Sequence, residues 1–355
     1  MAIIDEPVRG SFGDTAALAL PGVDSLRRAA RGQGPAPPIH HLTGIRPTEA
    51  GLGKAVFSMP VTRWLEDWAG IIHAGVYAFF ADAPLGSALF TAMPPGRVAT
   101  TTQLFLSYVR PATRRSRNFI GRAQLLHVGR EIGISDVRVE DGEGRLLAYG
   151  STRCVFTDVP FDPDRPLPPT PEPSGDPPDP YLRPVPDGLY GDAATLETVP
   201  PIDVMRRVID GEIHGGPISE MFGWIPESVE PGRSVHRMRK TPWLSAGGPA
   251  MYGGALALAC DFALGGAVYS TLEPGCVFAT LDMEVRFLRP VYLDDQHLVV
   301  TGELRHPGRT IRVASAEITD SQGKRVAIAT GSALVVPGGL RQLLGGRLPD
   351  EIVGD

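Results

Sequence analysis

"GGALALACDFALGG" (Gly253–Gly266) is small or apolar at every position except Asp261. A carboxylate inside such a segment is costly unless something holds it, because burying an unpaired charge costs several kcal/mol or more. A second stretch of the same design, "AGVYAFFADAPLG", carries Asp82 at the matching place. Both segments are apolar nearly all round, so each reads as a helix that must be enclosed on every side. The apolar run 251–272 is long enough to suggest a membrane span, but Asp261 at its centre and its glycines argue against one.

Working outward, the two segments belong to a repeat. Shifted by 179 residues, the chain aligns with itself without a gap. "PGVDSLRR" from Pro21 falls on "PPIDVMRR" from Pro200, Gly44 and Pro47 on Gly223 and Pro226, and "TRWL" on "TPWL". Asp82 falls on Asp261, Thr101 on Thr280, "YVRP" on "FLRP", "HVGR" on "HPGR", and Asp141 on Asp320. Each copy starts with a short helix ("DSLRRAA", "DVMRRVI") and a strand ("GKAVFSMPV", "GRSVHRMRK"). The long helix follows, over about 75–91 or 254–271, and then a run of strands. In the second copy these are "FATLDMEVRFLRP", "HLVVTGELRH", "TIRVASAEITD" and "KRVAIATGSALVV". Turns such as "DGEGR" and "DSQGK" are hairpin chemistry. The predicted organisation is module 1 over 15–158, a Pro-rich extended connector over 159–193, module 2 over 194–337, and a tail over 338–355. The fold class is α+β, each module a long central helix wrapped by a curved antiparallel sheet.

The 355 residues suit two globular units, and 43% hydrophobic content supplies their cores. A net charge of −6 without a Lys/Arg run argues against a nucleic-acid partner. Three cysteines, Cys154, Cys260 and Cys276, lack metal-ligand spacing and fit a reducing compartment. The first residues, "MAIIDEPVRGSFGD", have no basic region leading into an apolar run, so no signal peptide is expected. The expectation is a cytoplasmic protein without a membrane partner. No metal or redox cofactor is implied, because neither a Gly-rich phosphate loop after a strand nor H-E-x-x-H is present.

The order of elements resembles the hotdog fold, and the residues resemble PaaI-type acyl-CoA thioesterases of the 4-hydroxybenzoyl-CoA thioesterase superfamily. That family carries His-Gly-Gly at the mouth of the central helix and an Asp nine residues after the His. Here "HAGVYAFFAD" places Asp82 nine after His73, and "YGGALALACD" places Asp261 nine after Tyr252. The family's next strand opens with Ser or Thr and runs to an aromatic and "x-x-P", as in "TTQLFLSYVRP" and "TLDMEVRFLRP". Three departures stand out. Ala74 replaces a Gly, Tyr252 replaces the His, and the Asn expected six before the His is Asp67 in one copy and Ala246 in the other.

The resemblance implies a double hotdog whose sites lie between its modules. One site would combine Asp261 and Thr280 with His73, Ala74 and Asp67; the other would combine Asp82 and Thr101 with Tyr252 and Gly253. Each Asp would act as general base or as nucleophile on a thioester carbonyl, strengthened by an apolar cleft. Backbone N–H groups at the helix mouths, around Ala74 and Gly75 or Gly253 and Gly254, would hold the oxyanion. Tyr252 and the turns His127–Gly129–Arg130 and His306–Gly308–Arg309 would bind substrate, with Arg suited to phosphate. Each also has a plainer reading: a core carboxylate paired with Arg, glycines where a loop enters a helix, ordinary strand threonines, solvated hairpins. Pro84, two after Asp82, removes a helical hydrogen bond. The site keeping His73 and Asp67 is expected to be the more active. The implied activity is hydrolysis of an acyl-CoA or acyl-carrier-protein thioester, with CoA entering only as part of the substrate, by a homo-oligomer of such chains. A hotdog hydratase or dehydratase and a non-catalytic acyl-thioester binder are the alternatives.

Overall fold

A computed structural model describes residues 3–13, 15–170, 177–294 and 296–346. Parts of the Pro-rich connector (171–176) and of the tail (347–355) lie outside the described residues. Module 1 runs α1 (Gly22–Ala30), α2 (Pro38–Thr43), β1 (Arg46–Gly51), β2 (Lys54–Pro60), α3 (Gly75–Phe90), β3 (Arg97–Tyr108), β4 (Asn118–Val128), β5 (Ile132–Glu140) and β6 (Leu146–Asp158). After the connector come α4 (Ala193–Thr198), α5 (Pro201–Ile209), α6 (Pro217–Phe222), β7 (Trp224–Glu230), β8 (Arg233–Arg239), α7 (Gly253–Tyr269), β9 (Val277–Phe287), β10 (His297–His306), β11 (Ile311–Thr319), β12 (Arg325–Val336) and α8 (Gly339–Leu343).

The twelve strands form one antiparallel sheet in the order β1-β2-β4-β5-β6-β3-β9-β12-β11-β10-β8-β7. The modules meet where β3 pairs with β9. In that ladder Phe105 faces Glu284, its own counterpart in the repeat, so the pseudo-twofold axis passes between them. α3 packs on the strands of module 1 and α7 on those of module 2. The two helices also lie antiparallel against each other. A Cβ on Gly75 would come 2.7 Å from Leu258 Cδ1, and one on Gly254 would come 2.4 Å from the Phe79 carbonyl oxygen. One continuous apolar core runs through both modules, from Leu42, Phe79 and Phe119 to Phe222, Leu258 and Ile318.

The hairpin turns follow from their residues. Asp141 accepts hydrogen bonds from the backbone N–H groups of Glu143 and Arg145 at 3.0 and 2.9 Å, and Gly144 takes φ +80°. Asp320, Gln322, Lys324 and Gly323 repeat this pattern. The segments "RPTEAG" and "WIPESVE" form strands that the pattern reading did not contain. They are the two edges of the sheet, where Pro47 and Pro226 cost no ladder hydrogen bond. α3 continues through Pro84 without a break.

In the connector, described residues 159–170 and 177–192 contain no α-helix or strand; Pro180–Leu182 makes a 3₁₀ turn, and the segment packs on module 1. Trp64 Nε1 donates to the Arg183 carbonyl at 2.9 Å, and Tyr190 donates to Glu66 at 2.6 Å. α8, placed by the sequence reading in the tail, joins a small apolar cluster with Val277 and Val336 through Leu340. No described helix is long and apolar enough to cross a membrane.

Candidate active site

The antiparallel crossing of α3 and α7 sets the mouth of each helix beside the Asp of the other. Asp261, on α7, is 3% exposed. Its Oδ2 lies 3.4 Å from Nδ1 of His73, at the entrance to α3, and it accepts a hydrogen bond from the Gly75 N–H. The hydroxyl of Thr280, on β9, reaches its Oδ1 at 3.4 Å. Gly75 needs its lack of a Cβ here, since one would sit 3.0 Å from Asp261 Cβ. The second centre repeats the plan. Asp82, on α3, accepts from Thr101 of β3 at 2.9 Å and from the Gly254 N–H of α7. Each Thr adjoins a β-bulge, between Thr101 and Gln103 in β3 and between Thr280 and Asp282 in β9, opposite Ser332 and Ala333 of β12. Bulges re-aim neighbouring side chains.

Burial raises the Asp261 carboxyl to about 7, against smaller opposing effects of the Gly75 and Thr280 hydrogen bonds. Asp82 rises to about 6 for the same first reason. Burial lowers His73 to about 3, so its ring is neutral. Nδ1 of His73 accepts the Gly75 N–H at 3.1 Å, which places the ring proton on Nε2. The N–H groups of Ala74 and Gly253 have no acceptor among the described residues and are the donors left at each helix mouth.

The centres differ in their surroundings. A cavity of about 390 Å³ opens on Asp261 and is walled by His73, Tyr108, Trp224, His236 and Phe262 among others. Four rings form a tower: His73 stacks on Phe262 at 3.9 Å, Phe262 on Trp224 at 4.5 Å, and Trp224 on His236 at 4.6 Å. Leu196 of α4 and Leu340 and Leu343 of α8 complete the apolar rim. The hydroxyl of Tyr108 is buried without a partner among the described residues, and burial, then Asp261, raises it well above 10. A cavity of about 680 Å³ opens on Asp82, where Ile45, Phe57, Ala83 and Phe287 stand at the repeat positions of Trp224, His236, Phe262 and Tyr108.

Among the remaining residues chosen from sequence, Asp67 lines the Asp261 cavity. Its carboxylate also caps a turn, accepting from the N–H groups of Ala69 and Ile71 at 2.9 and 3.2 Å, and burial raises it to about 7. Tyr252 lines the Asp82 cavity, but its hydroxyl donates to the Phe79 carbonyl at 2.7 Å and is not offered to a substrate. His127, Gly129, Arg130, His306 and Arg309 are exposed and Gly308 half-buried, on two hairpin turns that line neither cavity. The readings of Asp82 and Asp261 as ion-paired core carboxylates find no support, as no Arg or Lys pairs with either among the described residues. Among the described residues no three His, Cys, Asp or Glu side chains gather as a metal would need. Sequence reasoning missed Tyr108, Trp224, His236 and Phe262, which lie on four separate elements; only the aromatic of "YVRP" was visible as part of a motif.

Residues 69–148 and 248–327 each match the family profile described as the Thioesterase superfamily, and the two ranges are offset by the same 179 residues as the repeat. No match is found among curated proteins. Among solved structures, a TesB protein of Mycobacterium avium subspecies paratuberculosis superposes with a TM-score of 0.52 at 15% identity, covering 82% of this chain and 96% of its own. An acyl-CoA thioesterase II of Mycobacterium marinum does so with a TM-score of 0.52 at 13% identity, covering 84% and 98%. A hotdog protein of Alicyclobacillus acidocaldarius gives a TM-score of 0.51 at 14% identity, covering 84% and 97%. The shared architecture is the tandem hotdog.

Proposed function

We propose that this double hotdog chain, whose two modules each match the Thioesterase superfamily, hydrolyses acyl thioesters to the free acid and thiol. The observation carrying this is the cross-module grouping of Asp261, His73 and Gly75 at the mouth of an apolar cavity, beside the unused Ala74 N–H. Asp261 as carboxylate takes a proton from water, and the water oxygen attacks the thioester carbonyl carbon. The Ala74 N–H, at the positive end of α3, receives the developing oxyanion. Collapse breaks the C–S bond, and the proton held by Asp261 passes to the leaving sulfur. A route in which Asp261 attacks the carbonyl itself uses the same geometry and passes through an anhydride. Neither route uses a group beyond the protein and water.

Acyl-CoA and acyl-carrier-protein thioesters share the reacting bond, and both fall within the proposal. Asp82 with Thr101 and Gly253 is read as a second, weaker centre, since Tyr252 replaces the His and, among the described residues, no further carboxylate lines its cavity. The test is thiol release across short, long and aromatic acyl-CoAs. Binding without release would favour a non-catalytic carrier, and change at a C=C bond without release would favour a hydratase.

A further inference from the structure

The loop between β2 and α3 carries Asp67 and His73 to the Asp261 cavity, and the connector between the modules is fastened to it. The loop closes through its own backbone. The Asp67 N–H donates to the Ile71 carbonyl at 2.8 Å, and the His73 N–H to the Leu65 carbonyl at 3.1 Å. From the connector, the Gly191 N–H donates to the carbonyl of Trp68, a cavity residue, at 2.8 Å. A Cβ on Gly191 would come 1.9 Å from Trp68 Cε3, so this approach needs glycine. From module 2, the Ile218 N–H donates to the Glu66 carbonyl at 3.1 Å.

Among these backbone contacts sits a buried charge. Glu66 is 2% exposed, and each of its carboxylate oxygens meets a different segment. Oε1 lies 3.0 Å from Arg114 Nε, and Oε2 accepts from the Tyr190 hydroxyl of the connector at 2.6 Å. Arg63 donates to the same hydroxyl at 3.1 Å and lies over the Tyr190 ring, 4.8 Å from its centroid.

The loop of module 2 closes without such charges. Pro242, Ser245 and Leu293 stand at the repeat positions of Arg63, Glu66 and Arg114. The Tyr252 N–H still donates to the Leu244 carbonyl at 2.8 Å, and Ser245 Oγ donates to the Gly248 carbonyl at 2.7 Å. The segment leading into module 1 docks on that loop as the connector docks on the other, the Gly13 N–H bonding to the Gly247 carbonyl. Ser11, at the repeat position of Tyr190, has no partner for its hydroxyl among the described residues. A buried ion pair is a weak source of net stability. Stability alone therefore does not account for charges that occur only at the centre keeping His73 and Asp67.

We infer that Tyr190 is a positioning residue: through Glu66 it fixes the loop that sets His73 and Asp67 against Asp261, so that the connector completes this centre. Its effect on rate rests on the thioesterase reading; its effect on geometry does not.

The test is Tyr190→Phe in the full chain, which keeps the ring over Arg63 and removes only the hydroxyl. The probe is the pair of imidazole ¹⁵N shifts of His73, assigned with His73→Gln. In the wild type at pH 7.5 they should report one neutral tautomer, protonated on Nε2, because Nδ1 accepts the Gly75 N–H. In Tyr190→Phe they should move toward the average of the two tautomers. Tyr181→Phe, in the same connector but packed beside Gly44, should leave them unchanged. A wild-type ring that is already averaged, wild-type shifts in Tyr190→Phe, or an equal change in Tyr181→Phe overturns the inference. Where Tyr190→Phe does not fold, Glu66→Gln takes its place, keeping an acceptor for Tyr190 and losing the ion pair with Arg114. Thiol release is scored separately. In Tyr190→Phe kcat should fall roughly five- to fifty-fold with KM within about two-fold, since displaced groups cost rate more than binding. An unchanged kcat beside an active wild type also overturns the inference. No release from the wild type ends the hydrolase reading and leaves the ring shifts to decide this one; release with unmoved shifts ends this one alone.

Discussion

Nδ1 of His73, in the first module, lies 3.4 Å from Oδ2 of Asp261, in the second, and the Gly75 N–H bonds to both side chains. Beside a neutral imidazole, the Asp261 carboxyl, raised to about 7, keeps its proton until the pH approaches that value. A general base must be deprotonated. Thiol-release kcat/KM should therefore be low at pH 5, rise through about pH 7 and level off above it. A rate–pH profile checks this, and a limb centred near 4 would place the base elsewhere.

Asp261→Asn preserves size while removing base and nucleophile, and should lower kcat by about 10²–10⁴-fold. Asp82→Asn should cost much less. Steady-state assays of both variants under one set of conditions check the inequality, which an equal loss in each would refute.

Stability gives an independent reading. The folded pKa of Asp261 lies above its unfolded value, so the folded state binds the extra proton between about pH 4 and 7 and loses stability as pH rises through that window. His73 and His236, lowered to about 3, act in the opposite sense between about pH 3 and 6.5 and gain stability as pH rises. Removing Asp261 leaves the histidine effect less opposed. Asp261→Asn should match the wild type in denaturant midpoint at pH 4 and exceed it at pH 7.5. A midpoint below the wild type at pH 7.5 would identify Asp261 as a structural carboxylate.

Much of this site is legible in the sequence because it occurs twice. Asp82 and Asp261, Thr101 and Thr280, and the helix mouths recur at one spacing, and an antiparallel pair of enclosed helices must bring each mouth to the other's Asp. Trp224, His236 and Phe262 were illegible for the converse reason: their counterparts Ile45, Phe57 and Ala83 differ from them in size or in polarity, so the repeat hides the tower. Leu340 and Leu343 fell in what reads as a tail, because a five-residue helix leaves no periodic signal. β1 and β7 carry Pro and few apolar residues, as sheet edges permit.

Tyr108 offers a test of the unequal centres. Its hydroxyl is buried without a partner among the described residues, and its counterpart is Phe287. Tyr108→Phe removes an unsatisfied group and should leave the thermal midpoint unchanged or raise stability by about 1 kcal/mol. Calorimetry of the two proteins decides it, and a clear loss would mean the hydroxyl has a partner that holds the fold.

The final prediction concerns the joint between the modules. β3 pairs with β9 around Phe105 and Glu284, α3 rests on α7, and one apolar core spans both halves. Unfolding should be a single transition, with calorimetric and van't Hoff enthalpies in agreement. Two glycine variants separate the helix contact from helix propensity. A Cβ on Gly254 would meet the Phe79 carbonyl oxygen at 2.4 Å, and backbone cannot swing aside as a side chain can. Gly254→Ala should force α3 and α7 apart and destabilise by about 1–3 kcal/mol, as overpacking does. Gly86 lies within α3 with nothing inside 4 Å of its added Cβ. Gly86→Ala should stabilise by about 0.5–1 kcal/mol through lost unfolded-state freedom. Because the halves share a core, Gly254→Ala should shift the whole transition without splitting it. A split into two transitions, with one half melting at the wild-type temperature, would show that the modules fold independently and that the helix contact couples nothing.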